Sequence, residues 1–319
     1  MKKESTIIQV DERVPLLKGI PLSIQHTFAM FSASVLVPYL VGISPAVVLF
    51  MNGIGTLIFI FVTKGKAPAY LGSSFAFLSP TFLVLGAKGL GYEYALGGYV
   101  ITGLIFCVVA IMIKFVGTDW INAVLPPAAM GPVVALIGLE LAGTAAANGG
   151  IILTKTYKEY DFKLVGVFII TLLVAIFGQV LFRGFAAAIA ILIAIIAGYL
   201  AALSLGIVDF KAVGEASFFA VPNFALPKFG WEAILIIIPA SLVVISEHIG
   251  HQVVTSEIVG RDLLKDPGLH RSLLSDGIST TLSGFCGSVP TTTYGENIGV
   301  MAVTKVQLEI GRASCRERV

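Results

Sequence analysis

Two carboxylates and one histidine are the residues of this sequence best placed to do chemistry. Glu247 and His251 are four positions apart in an apolar run, so a helix places them on one face, and His248 points about 100° away. Charged groups inside an apolar segment usually line a pathway or carry protons, although a structural hydrogen-bonded pair is the alternative. The order Glu-His-x-x-His is not the zinc-binding order His-Glu-x-x-His, so we expect no metal here.

The second carboxylate, Glu296, follows Gly295 at a point where polar and helix-breaking residues interrupt an apolar stretch. Ser73, Ser74 and Phe75 form a similar break. We expect a half-helix to begin at each break, with free backbone N–H groups pointing into the gap. Carboxylates accept from N–H groups and amides donate to carbonyls, which suits a flat, neutral nucleobase and repels an anion. The alternative is that Glu296 only stabilises its own helix dipole.

Other polar residues accompany these breaks. Gln25 and His26 lie in the first apolar run, and Asn297 follows the second carboxylate. His26 is expected either to contact a substrate or to pack as a satisfied histidine that supports the broken helices. Asn297 either supports the site or only caps its helix. We predict that Asp276 is a boundary residue near the start of its run.

The composition places all of these residues in a membrane. The chain is 56% hydrophobic and only 13% charged, against about 25% charged residues in soluble domains. Apolar runs of about 20 residues, enough to cross a bilayer, predict an all-α polytopic membrane protein with no indication of a nucleic-acid partner. Gly53 and Gly55 are predicted helix-packing positions. The ten predicted spans are approximately 20–41, 45–63, 70–87, 94–114, 127–146, 163–182, 184–205, 232–254, 271–286 and 288–306.

The distribution of positive charge predicts the orientation of these spans. With a cytoplasmic N-terminus, the inside segments hold about twice as many Lys and Arg residues as the outside segments, as the positive-inside rule requires. We therefore predict a multi-pass protein of the inner (cytoplasmic) membrane.

An internal repeat links the polar residues. His26 corresponds to His248 (248 − 26 = 222), and Phe75 corresponds to Gly295 (295 − 75 = 220). Seven predicted spans precede the second copy, so its topology is inverted. Many secondary transporters use this arrangement to build a site from discontinuous helices.

The second copy contains only three of its seven expected spans before the sequence ends. Residues 309–319 are polar and resemble the in-frame translation of a sequencing-adapter oligonucleotide. We therefore expect the native sequence to end near Val306 and residues 307–319 to be a non-native tail. A natural basic tail is the alternative.

These motifs together resemble the nucleobase-ascorbate transporter family. The string Glu296-Asn-x-Gly-x-x-x-x-Thr304-Lys305 is similar to the family signature, and Gln25-His26 is similar to its first-span motif. The resemblance covers residues from about 14 to 306 and implies a seven-plus-seven inverted-repeat transporter fold with broken third and tenth spans, here truncated to about ten. It also implies a core domain (1–115 and 231–306) that alternates against a gate domain (beginning with 116–206).

Within this family the sequence resembles the uracil branch, which implies proton-coupled uptake of uracil with no cofactor other than the proton. Glu247 and His251 would couple protons, and a homodimer in the lipid bilayer is a candidate assembly. The implied supporting residues are Gln25, His26 and Asn297. The implied uracil-binding residues are Phe75, Glu247, Tyr294, Gly295 and Glu296, with the backbone amides of Phe75 and Gly295 donating to the ring.

Three other functions stay open at this point. A xanthine or urate permease of the same family would differ in its substrate alone. An anion exchanger of the same fold is disfavoured by the paired carboxylates. A membrane enzyme would need a nucleophile with its base or a competent metal set, and we find neither pattern in the sequence.

Overall fold

The computed structural model describes residues 16–304, except 88, 118–119, 121–126, 154–159, 184, 212–213 and 215–220. The predicted tail at 307–319 lies outside these residues. The described chain is helical, as predicted, apart from two short strands. The elements are α1 (Leu16–Val41), α2 (Pro45–Val62), β1 (Leu71–Ser73), α3 (Leu78–Gly86), α4 (Tyr92–Val116), α5 (Pro127–Asn148), α6 (Phe162–Leu181), α7 (Phe185–Ala188), α8 (Ala190–Ser204), α9 (Trp231–Val259), α10 (Leu269–Cys286), β2 (Thr291–Thr293) and α11 (Gly295–Thr304).

Four of the described helices are long and apolar enough to cross a membrane by length and composition: α2, α4, α6 and α9. The segment Phe75–Gly86 is apolar but shorter, and α11 contains Gly295–Thr304, the last residues that the structure describes. A helix needs about 20 residues to cross a bilayer. Phe75–Gly86 is therefore a half-helix, as the break in the third span predicts, and α11 begins at the break predicted for the tenth span.

The two broken spans meet at their extended parts. β1 pairs antiparallel with β2, with Gly72 opposite Thr292. The elements repeat with the predicted offset, because β1 begins at Leu71 and β2 at Thr291 (291 − 71 = 220). The sequence analysis did not predict this pairing. The pairing of β1 with β2 gives hydrogen-bond partners to backbone groups that lipid cannot satisfy.

Helices α4 and α10 pack closely because glycines face each other at their crossing. A Cβ added to Gly103 would lie 2.7 Å from the Gly277 carbonyl oxygen, and one added to Gly277 would lie 2.8 Å from the Gly103 carbonyl oxygen. On α2, Gly55 likewise packs against Ser279 of α10, as predicted, whereas a Cβ added at Gly53 would meet nothing within 4 Å in the described chain. The prediction for Gly53 was therefore wrong. Small residues such as Gly55, Gly103 and Gly277 allow helix backbones to approach closely in membranes.

We expect Gly103→Ala to destabilise the protein by about 1 to 3 kcal/mol, the usual cost of overpacking. The new methyl group would press on backbone atoms of α10, which cannot rotate away as a side chain can. Thermal unfolding in detergent, followed by size-exclusion chromatography, measures the loss. The matched control is Gly53→Ala, for which we expect no loss, and equal melting temperatures for the two variants would contradict the prediction.

The chain divides into two compact units. One contains residues 1–133 and 222–319, and the other contains residues 134–221. Within the second unit, α6 packs on α8 where Gly198 faces Thr171. All the predicted site residues belong to the first unit. The assignment of a core and a gate remains a prediction.

Candidate functional site

The helices that follow the two breaks begin where the sequence predicts. A helical turn starts at Phe75 and leads into α3, and α11 starts at Gly295. Their first backbone N–H groups have no acceptor within the helix and carry its positive end. Equivalent hydrogen bonds hold the two starts, because Ser74 N donates to Pro290 O and Tyr294 N donates to Tyr70 O, both at 3.0 Å.

The predicted pair on α9 faces the start of α11. His251 Nδ1 lies 3.1 Å from Thr293 Oγ1 of β2. On its other side, a Cβ added at Gly295 would lie 3.1 Å from His251 Nε2. Glu247 lies one turn away on the same helix and within electrostatic range of Glu296. The structure thus brings Glu247, His251, Gly295 and Glu296 together, each of them only partly buried.

An apolar wall adjoins these polar groups. The rings of Tyr70 and Tyr294 lie 5.7 Å apart and are tilted by 50°. Phe75 and Met30 pack against them and are partly exposed. Tyr70 and Tyr294 are buried, so within this cluster it is the partly exposed ring of Phe75 that offers a flat ligand an aromatic surface. Met30 was missed in the sequence analysis, although it follows His26 by one helical turn, and that spacing is the signal that could have found it.

A hydroxyl network holds Tyr294 in place. Its hydroxyl lies 3.3 Å from Ser34 Oγ, and Asn52 Nδ2 donates to Ser34 Oγ at 3.2 Å. Thr56 Oγ1 donates to the backbone carbonyl of Asn52 at 2.8 Å and accepts from Leu71 N at 3.1 Å. The network therefore ties the aromatic wall to α1, α2 and β1. The sequence analysis did not predict this network, because a single polar residue in an apolar run does not reveal which residue it will contact.

The supporting residues lie behind the start of α11. His26 and Asn297 are buried, and Asn297 Nδ2 lies 3.4 Å from His26 Nδ1. This contact joins α1 to α11, which pack against each other. Gln25 belongs to α1, but its side chain is outside the part of the chain that the structure describes.

The prediction for Asp276 was wrong. Its side chain is fully buried, and Oδ2 lies 2.8 Å from Nδ1 of the equally buried His248. The reason is that α10 begins at Leu269, so Asp276 lies two turns inside the helix. Among the described residues, no group of three His, Cys, Asp or Glu side chains could hold a metal ion.

Known proteins resemble this chain over most of its length. A family model described as "Permease family" matches residues 17–310. The relatives include the uracil permeases of Paenibacillus larvae, 57% identical over 302 residues, and Escherichia coli K12, 56% identical over 299 residues. These alignments cover 94% of this chain and 71% and 69% of the relatives, respectively. The uracil permease of Bacillus subtilis is 44% identical over 314 residues, which are 96% of this chain and 72% of that protein.

A solved structure supports the fold. The transmembrane domain of the cyanobacterium bicarbonate transporter BicA superposes with a TM-score of 0.64 over 94% of this chain and 83% of that domain. The sequence identity is only 13%, so this likeness concerns the fold alone. The family match and the close relatives agree with the motifs, and the chain therefore belongs to the permease family of the nucleobase-ascorbate transporters.

Proposed function

We propose that this chain takes up uracil in symport with protons across the inner membrane, with its N-terminus in the cytoplasm. The observation that carries the proposal is the meeting of Glu247 and Glu296, within electrostatic range of each other, at the start of α11. The names of the relatives support uracil as the substrate. Paired carboxylates would repel an anion, which disfavours anion exchange.

The donors and acceptors of uracil match this site. Uracil alternates N–H and C=O groups around a flat, neutral ring. Its N–H groups would donate to the carboxylates of Glu247 and Glu296, and its carbonyl oxygens would accept from the backbone N–H groups of Phe75 and Gly295. The partly exposed ring of Phe75, which packs on the buried ring of Tyr294, would stack against the substrate.

Proton coupling would reside in Glu247 and His251. A proton on Glu247 removes the repulsion between the two carboxylates and turns one acceptor into a donor. The proton and uracil then favour the same state of the protein. Each of them shifts the equilibrium between the outward-open and inward-open forms according to the difference between its affinities for the two forms. The His251 side chain is hydrogen-bonded to Thr293, so a change in the charge of His251 would act directly on β2.

The proposal also assigns roles to the predicted supporting residues and to the predicted core and gate domains. His26 and Asn297 would hold α11 against α1, with Gln25 beside them. Residues 1–115 and 231–306 would form the core that carries the substrate, and residues 116–206 would begin the gate. No cofactor is needed, because the proton itself drives accumulation. A homodimer in the bilayer is the assembly that we would test first.

The test is uracil binding and uptake. We expect the purified chain in lipid nanodiscs to bind labelled uracil saturably, with displacement by unlabelled uracil and not by xanthine. Uptake by cells that express the gene should collapse when a protonophore is added. Saturable binding of labelled xanthine without binding of labelled uracil would replace the substrate by a purine, and turnover of uracil into another compound would replace transport by enzymatic activity.

A further inference from the structure

The hydroxyl group of Ser34 contacts two members of the apolar wall. Ser34 has no exposed surface. Its Oγ atom donates to Met30 Sδ at 3.5 Å and lies 3.3 Å from the hydroxyl oxygen of Tyr294. Met30 is partly exposed, whereas Tyr294 is buried. One small buried side chain on α1 therefore connects the accessible part of the wall to the part behind it.

Ser34 is itself held from α2. Asn52 has no exposed surface, and its Nδ2 atom donates to Ser34 Oγ at 3.2 Å. One turn further along α2, Thr56 Oγ1 donates to the backbone carbonyl of Asn52 and accepts from Leu71 N of β1. Buried polar atoms are costly to leave without partners. A movement of the wall away from Ser34 would therefore be opposed by the loss of these hydrogen bonds.

The ring of Tyr294 is also closely packed. A Cβ added to Gly72 of β1 would overlap this ring, and the ring of Tyr70 lies 5.7 Å from it. Phe75 and Met30 pack against the two tyrosines. Close-packed interiors resist small displacements, so packing and hydrogen bonds together keep the wall in one position.

Uracil has only one edge without polar groups. Its N–H and C=O groups occupy four consecutive ring positions, and the proposed function assigns them to two carboxylates and two backbone amides. The remaining edge, formed by C5 and C6, carries only C–H groups and should face the apolar wall, because a polar group there would lose its partner. Thymine has a methyl group on this edge, and xanthine has its second ring there. Both ligands would have to push the wall back.

We propose that Ser34 is a specificity-determining positioning residue, which excludes nucleobases larger than uracil by holding Met30 and Tyr294 in place. Ser34 acts through these two side chains and does not touch the substrate. A ligand that displaces the wall must break the hydrogen bonds to Ser34, whereas uracil leaves them intact. This inference rests on the proposed function, because it takes the position of uracil from that proposal.

The test is the selectivity of Ser34→Ala, which removes only the hydroxyl group. We expect the ratio of the dissociation constants of thymine and uracil to fall by about fivefold, the factor that corresponds to the loss of one buried hydrogen bond. Most of this fall should come from tighter binding of thymine, since general damage to the fold would weaken both ligands. The measurement is the binding of labelled uracil and labelled thymine to the purified chain in nanodiscs.

The matched control is Ser283→Ala on α10. It removes a buried hydroxyl group that has no hydrogen-bond partner in the described chain, and it should keep the wild-type ratio. Tyr294→Phe keeps the ring but removes the hydroxyl group that meets Ser34, so it should also lower the ratio, and it carries the test should Ser34→Ala fail to fold. The double variant Ser34→Ala with Tyr294→Phe should lower the ratio by less than the product of the two single effects, because both changes remove the same contact.

A folded Ser34→Ala or Tyr294→Phe protein with the wild-type ratio would overturn the inference and leave the proposed function intact. Two further results would do the same: a double variant whose effect equals the product of the single effects, and wild-type protein that binds thymine as tightly as uracil. Wild-type protein that does not bind uracil would overturn the proposed function together with the inference.

Discussion

Glu247→Gln is expected to abolish proton-driven accumulation of uracil while the protein still folds and inserts. The amide has the shape of the protonated carboxyl group and stays neutral at every pH. Uracil can therefore still meet a donor and an acceptor at this position, but residue 247 can no longer take up and release a proton. Binding should become nearly independent of pH, and uptake should fall to the level of cells without the gene.

The comparison for this variant is Glu257→Gln, which removes an exposed carboxylate from the same helix. Its uptake should match that of the wild type. Both proteins should elute as single peaks in size-exclusion chromatography, so that a failure to fold is recognised. Uptake by Glu247→Gln that still follows the proton gradient would remove Glu247 from the coupling mechanism and leave His251 as the candidate.

Gly72→Ala is expected to lower the affinity for uracil by tenfold or more. A methyl group at this position would overlap the ring of Tyr294, so either the ring must rotate into the site or β1 must separate from β2. Tenfold in affinity corresponds to about 1.4 kcal/mol, which is within the range of about 1 to 3 kcal/mol for overpacking. The effect should fall on binding more than on folding if the ring moves.

Binding isotherms and melting temperatures measured on the same samples separate these two outcomes. The control is Gly86→Ala at the end of α3, in the same broken span, where an added methyl group meets nothing within 4 Å in the described chain. It should bind uracil as the wild type does. Wild-type affinity in Gly72→Ala would show that the position of Tyr294 does not matter to the substrate.

The breaks in the third and tenth spans could be predicted from the sequence because the residues that cause them are local. Gly295 and Phe75 begin their helices where predicted, since polar and helix-breaking residues stop a spanning helix wherever they occur. Helical periodicity also separated His248 from the face of Glu247 and His251. These features depend only on neighbouring residues.

The contacts across the fold could not be predicted in this way. Asp276 was assigned to a boundary because nothing near it in the sequence shows that His248 will face it. The pairing of β1 with β2 and the bond between Asn52 and Ser34 likewise depend on helices that meet only after packing. One polar residue in an apolar run carries no information about its partner.

The pairing of β1 with β2 also constrains the order of events during synthesis of the chain. β1 is synthesised 220 residues before β2 (291 − 71 = 220), which at about 5 to 20 residues per second is an interval of about 10 to 45 s. Throughout it, the backbone groups of β1 have no β2 partner, and lipid offers them none. The binding site can therefore be completed only after β2 has been synthesised, and until then the backbone of residues 71–73 must find other hydrogen-bond partners.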